Sequence, residues 1–157
     1  MSTPFYLVPF VSLAMVLAPA AAQAAPNLTG EWKLNPSRSN YGPIPAPQLM
    51  IRKVRHEDPS LGITTTQKGA QGEVTTELHY TTDGKPAVNQ VAGGEATGAA
   101  QWQGDRLVIE STREVQGNQM RTREAWALSD DGKILTIAAH LALPQGEFDL
   151  TLVFEKQ

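Results

Sequence analysis

The stretch MRTREAWALSDDGKILTIAAHL, residues 120–141, decides the fold. Its first part alternates, so that Met120, Thr122, Glu124, Trp126 and Leu128 share one face of an extended chain. Its last part does the same with Leu135, Ile137, Ala139 and Leu141. Between them lies Asp131-Gly132, a dipeptide suited to a hairpin turn because such turns need positive φ at their centre. Two strands joined by a tight turn are the expected product.

The same rhythm runs outward in both directions. Val74, Thr76, Leu78 and Tyr80 form one row, Leu107, Ile109, Ser111 and Arg113 another, and Phe148, Leu150, Leu152 and Phe154 a third. Short strands are also expected over residues 30–35, 49–56, 63–67 and 99–103. Asp83-Gly84, Gly104-Asp105 and Gly117-Asn118 read as further turns, and Pro144-Gln145-Gly146 as the last. A spacing near ten residues per strand and turn predicts an all-β chain of about nine or ten strands. Short connections favour neighbour-on-neighbour pairing, hence an antiparallel up-and-down meander closing into a barrel or half-barrel.

Two segments break the pattern. Residues 36–47 carry four prolines and Gly42, so they are expected to cross the surface as an extended arm pinned by Tyr41 or Ile44. Residues 91–100 hold Gly93, Gly94 and Gly98 among alanines, which predicts a mobile edge or loop, with a portal flap as the alternative.

Residues 1–24 read as a secretory signal: an apolar run over residues 5–17 is followed by the small-x-small pattern Ala22-Gln23-Ala24. The run is interrupted at Pro9, is followed by Pro19, and is shorter than the roughly 20 residues a bilayer span requires. Residues 25–157 are then expected to form a single domain in a bacterial periplasm or outside the cell, without stable membrane insertion once the signal is removed. The chain has no cysteine, so neither a disulfide nor a lipid-bearing cysteine is available.

Thirteen basic and sixteen acidic residues give a net charge of -3, and the cationic clusters Arg52, Lys53, Arg55 and Arg121, Arg123 each have carboxylates nearby. Nucleic-acid capture needs unopposed cations on one face, so no nucleic-acid partner is expected. His56, His79 and His140 stand on separate strands without ligand spacing, so no metal and no cofactor is expected. No nucleophile elbow or phosphate-cradling glycine loop occurs, and no catalytic residue is assigned.

The rows place two charges on inward-looking faces, Arg113 and Glu124. A buried ion needs a partner, so the two are expected either to pair inside or to lie where the strands reach solvent. Tyr80, Trp102, Arg113, Glu124 and Trp126 are the candidate ligand-binding residues.

The opening Leu28-x-Gly30-x-Trp32-x-Leu34 resembles the G-x-W signature of the lipocalin and wider calycin barrels. Residues 126–137 resemble the late hairpin of bacterial lipocalin-like domains. Most of the chain after the signal is also similar to small exported bacterial proteins that open L-x-G-x-W-x-L-N. The resemblance implies that Trp32 lies across the closed end of a barrel, with Gly30 allowing close approach and Leu152 or Phe154 packing nearby. The chain departs from those barrels in lacking a T-D-Y element, a C-terminal helix and disulfides, and in having Lys156 rather than the Arg that covers the lipocalin Trp.

Three functions remain open at this level. The first is non-enzymatic binding of a small apolar or amphipathic ligand by a monomer or weak oligomer, with Ala99, Ala125, Ala138 and Ala139 leaving an interior void. The second is an envelope-structural or protein-interaction module using the Thr-rich outer face, which carries Thr64, Thr66, Thr75, Glu77, His79, Thr112 and Glu114. The third is a hydrolase or isomerase on the same barrel.

Overall fold

A computed structural model describes residues 24–157. The expected signal segment therefore lies outside the described residues except for Ala24. The described chain is a ten-stranded antiparallel meander: β1 (Gly30–Leu34), β2 (Leu49–Glu57), β3 (Ser60–Gly69), β4 (Gly72–Thr81), β5 (Ala87–Val91), β6 (Gly94–Gln103), β7 (Arg106–Val115), β8 (Asn118–Leu128), β9 (Ile134–Leu143) and β10 (Gly146–Lys156). The strands form one sheet in the order β4-β3-β2-β1-β10-β9-β8-β7-β6-β5, which curls into a nearly closed barrel.

Period-two alternation sets what lies inside. Trp32, Leu34, Val54, Leu61, Ile63, Tyr80, Leu107, Ile109, Trp126, Leu135, Ile137 and Phe154 belong to one buried core. The turns β2–β3, β4–β5, β6–β7 and β8–β9 gather at one end, and the other turns gather at the opposite end. Toward the first end, Leu28, Trp32, Leu61, Leu107, Trp126 and Leu135 are almost wholly buried.

Two features differ from the sequence reading. Residues 91–100 are not a loop: β5 and β6 turn over Ala92-Gly93, and β6 pairs on both sides. Their inward positions are the small residues Ala96, Gly98 and Ala100, so hydrophobic contrast is weak although the ladder is complete. At Gly98 a side chain is sterically excluded, because a Cβ there would lie 2.6 Å from the Glu110 carbonyl oxygen.

Asp83-Gly84 is not a tight hairpin between paired strands. No β-ladder joins β4 to β5, and the gap in the barrel wall lies there. The chain after β4 instead bridges to β6, with Asp83 opposite Gln101 and the Gly84 N–H donating to the Ala100 carbonyl at 2.9 Å. The buried Asn89 side chain spans the gap as a substitute rung. It accepts from the His79 N–H at 2.7 Å and donates to the His79 carbonyl at 3.2 Å.

The Pro-rich arm contains a single 3-10 turn, Pro36–Arg38, capped by the Asn35 side chain. Asn40 then makes an isolated bridge to Thr151 on β10, and Tyr41 packs against the core. The arm thereby occupies the place beside β10 that β1 vacates, and brings Pro45 to the open end of the barrel.

Candidate functional site

The interior contains two contiguous spaces. A wide chamber of about 680 Å³ opens between the turns Gly69–Gly72 and Val91–Ala92, and Thr76, Leu78, Arg113, Met120 and Leu141 are among its walls. Below it lies a small chamber of about 60 Å³, lined by Arg52, Thr65, Ser111 and Ile109 among others. Leu78, Tyr80, Ser111, Thr122 and Glu124 border both, so the small chamber is the floor of the large one.

The floor is built around an ion pair. Arg52 on β2 donates from Nη1 to Glu124 Oε2 at 3.1 Å and from Nη2 to Oε1 at 3.3 Å. The indole Nε1 of Trp126 donates to the same Oε2 at 2.7 Å. The guanidinium carbon lies 5.2 Å from the Trp126 ring centre and 5.4 Å from that of Phe154. Side-chain exposure is 11% for Arg52 and 19% for Glu124, so the pair is largely withdrawn from solvent.

The two-point geometry and the indole bond answer the Glu124 carboxylate fully, whereas the Arg52 Nε is buried without a hydrogen-bond partner. Burial pushes the Glu124 carboxyl up, but the Arg52 charge and the bonds from Arg52 and Trp126 outweigh this and hold it below the usual range. Tyr80 stands beside the pair. Burial, helped by the Glu124 charge and opposed by Arg52, pushes its hydroxyl up to about 12. The phenol is therefore a neutral donor at any ordinary pH.

Four of the five residues marked as ligand-binding candidates meet the interior spaces. Tyr80, Glu124 and Trp126 line the floor, and Arg113 lines the mouth. Trp102 lines neither chamber. It lies at the closed end with its ring centre 5.7 Å from that of His56 and its Nε1 donating to Asp58 Oδ1 at 3.4 Å.

The expected Glu124–Arg113 pair does not form. Glu124 faces Ile109 across the β7–β8 ladder, and Arg113 stands four residues further along β7, about 13 Å nearer the mouth at strand rise. Its side chain is exposed there. The partner of Glu124 is Arg52, which the reading of the sequence grouped only with its charged neighbours. The signal was present: Met50, Arg52, Val54 and His56 share one parity with two buried apolar residues. The void likewise has a different origin from that expected. Ala99, Ala125 and Ala138 have outward parity, and Ala139 alone of the four faces in, together with Ala96, Gly98 and Ala100.

The closed end has its own polar network. Trp32 is fully buried, donates from Nε1 to the Leu28 carbonyl at 2.9 Å and lies under the Lys156 ammonium, 5.4 Å from the ring centre. A Cβ on Gly30 would come within 2.9 Å of Lys156 Cε, so the bare backbone makes room for that lysine. Nearby, Asp58 Oδ1 takes the Thr82 hydroxyl at 2.5 Å and the His56 ring at 3.0 Å. The Thr82 bond foremost, then those of His56 and Trp102, hold the Asp58 carboxyl below its usual range.

Among the described residues no group of three His, Cys, Asp or Glu is placed to hold a metal ion. No helix among them is long and apolar enough to cross a membrane.

No protein-family model and no curated protein matches the chain. Solved structures do. The zebrafish ileal bile acid-binding protein in complex with cholic acid aligns at TM-score 0.54 and 18% identity, over 83% of this chain and 98% of that one. A secretory abundant heat soluble protein from Ramazzottius varieornatus aligns at TM-score 0.61 and 11% identity, over 82% and 94%. Secretory abundant heat soluble protein 4 from the same organism aligns at TM-score 0.61 and 13% identity, over 87% and 99%. Identities this low speak to fold alone. The chain has the fold of the lipocalin-like, calycin-type β-barrels.

Proposed function

We propose that the protein is an exported, non-enzymatic carrier that takes a small apolar or amphipathic molecule into its barrel. The observation that carries this reading is the chamber of about 680 Å³, open at one end and floored by polar groups. That volume lies in the range of about 300–1,000 Å³ typical of small-molecule pockets. Its walls combine Val74, Leu78, Met120 and Leu141 with the hydroxyls of Thr76 and Thr122, a lining suited to a chain with one polar end.

Tyr80, Glu124 and Trp126 act at the floor in this reading, Arg113 acts at the rim, and Trp102 serves the closed end. The structural neighbour crystallised with cholic acid adds that this fold can hold such a molecule, though fold does not fix function. Export, to a bacterial periplasm or beyond the cell, rests on the signal-like pattern of residues 1–24.

Native mass spectrometry of the purified protein before and after organic extraction tests the carrier reading. A bound mass removed by extraction, and a thermal shift on adding back a lipid, are the expected results. Absence of any added mass, with no shift across a panel of fatty acids, alcohols, sterols and glycerides, rules the carrier reading out.

A further inference from the structure

Resting on the carrier reading, we infer that the floor selects an uncharged, hydroxyl- or carbonyl-bearing head group and rejects a carboxylate. The observation behind this is the charge compensation in the two-point Arg52–Glu124 pair. Each Nη of Arg52 donates to one oxygen of Glu124, and the guanidinium carbon lies 5.2 and 5.4 Å from the Trp126 and Phe154 ring centres. The buried Nε–H is the donor left without a partner, open to a neutral acceptor. The positive and negative charges at the floor cancel.

An anionic head brought down to this level meets the Glu124 carboxylate and finds no cation whose charge is uncompensated. It also leaves its hydration shell in water. Burying an ion without a partner is among the costliest events in a protein interior. The rim cation, Arg113, is too distant to help, since it lies about 13 Å up the barrel on strand rise and is exposed to solvent.

An uncharged head meets the opposite situation. Tyr80, Thr65, Ser111 and Thr122 each bring a hydroxyl to the small chamber, and hydroxyls both donate and accept. Tyr80 stays protonated, as shown above. The chamber, at about 60 Å³, exceeds the roughly 10–15 Å³ that one water requires, so it has room for a few waters or one compact head group. The alkyl part of the ligand then occupies the wide chamber above.

The test uses one saturated medium-chain series on the full protein: the alcohol, the primary amide, the methyl ester and the carboxylate. Binding is measured by isothermal titration at about pH 8, where a carboxylic acid is ionised. The neutral members are expected to bind at least about tenfold more tightly than the carboxylate, a gap of about 1.4 kcal/mol. Glu124→Gln leaves Arg52 as an uncompensated cation, so this variant is expected to reverse the order in favour of the carboxylate.

A wild-type protein that binds the carboxylate as well as the alcohol overturns the inference while leaving the carrier reading intact. So does a folded Glu124→Gln protein, checked by circular dichroism, whose preference is unmoved. The wild-type series decides the matter alone if that variant fails to fold. If no member of the series binds, this inference is overturned, while the carrier reading stands or falls separately on the native mass spectrometry and the wider lipid panel.

Discussion

Trp32→Ala is the most searching perturbation of the fold. The indole is fully buried, and truncating a buried Trp to Ala costs about 3–5 kcal/mol through lost burial and the cavity left behind. Two further losses attach to this site. The Leu28 carbonyl, on a residue only 1% exposed, forfeits its bond from the indole N–H. A buried acceptor left unmade costs about 1–3 kcal/mol. The Lys156 ammonium loses the ring beneath it, a contact worth about 0.5–1 kcal/mol near solvent. These losses overlap, so the sum is about 5 kcal/mol, a large share of the 5–15 kcal/mol typical of a domain.

Trp32→Phe separates the contributions. It keeps most of the apolar volume and loses the N–H donor, so about 1–3 kcal/mol is expected. Urea unfolding followed by tryptophan fluorescence and circular dichroism reads both variants. With slopes of about 1–3 kcal/mol per molar urea, Trp32→Ala should lower the midpoint by about 2–5 M. A Trp32→Ala midpoint within about 0.3 M of the wild type at unchanged slope refutes the placing of this ring as the plug of the barrel end. Equal losses in the two variants point to the Leu28 bond rather than ring volume.

Arg52→Met should destabilise by about 3–5 kcal/mol because it strands Glu124 in the interior, whereas Arg52→Met with Glu124→Gln should recover most of that loss; denaturation of all three variants checks the cycle, and a double variant no better than the single one contradicts it. Asn89→Ala should cost about 1–3 kcal/mol by orphaning the His79 N–H and carbonyl. Its amide exchange should speed up across β4 and β5 first, and exchange unchanged there removes Asn89 as the rung of the gap. Asp58 has a carboxyl held low in the folded state, so its contribution is complete above the unfolded value near 4 and is lost as pH falls through the lower folded value. Asp58→Asn should therefore flatten the acid limb of a stability-versus-pH curve below about pH 4, and an acid limb as steep as the wild type's removes the Thr82–Asp58–His56 network as its source.

How far the sequence exposes the barrel depends on hydrophobic contrast. Where large apolar residues alternate with polar ones, as in β4 and β7 to β10, the inward face can be read from the residues alone. In β5 and β6 the inward positions are Ala87, Asn89, Val91, Ala96, Gly98 and Ala100. Small residues give little contrast, and their glycines resemble loop punctuation. The open seam was also hidden. Asp83-Gly84 carries a good local hairpin signal, yet whether two strands pair is settled by how the whole sheet curls, and here closure stops between β4 and β5.

The floor of the chamber follows the same logic one level up. Parity alone put Glu124 inside, and the same parity applied to β2 puts Arg52 inside with it. What parity cannot supply is the pairing between them. The two residues are 72 positions apart, on strands separated in the sheet by β1, β10 and β9. In a flat sheet they would never meet, and curvature brings them across the interior. Arg113, on the strand next to Glu124, is the more natural partner from local reasoning, yet it stands too far up the barrel to reach. The choice between these two arginines decides the chemistry. Pairing with Arg113 would have left Arg52 as a free cation at the floor, an anchor for an anionic head. Pairing with Arg52 closes that option and moves the remaining positive charge out to the mouth.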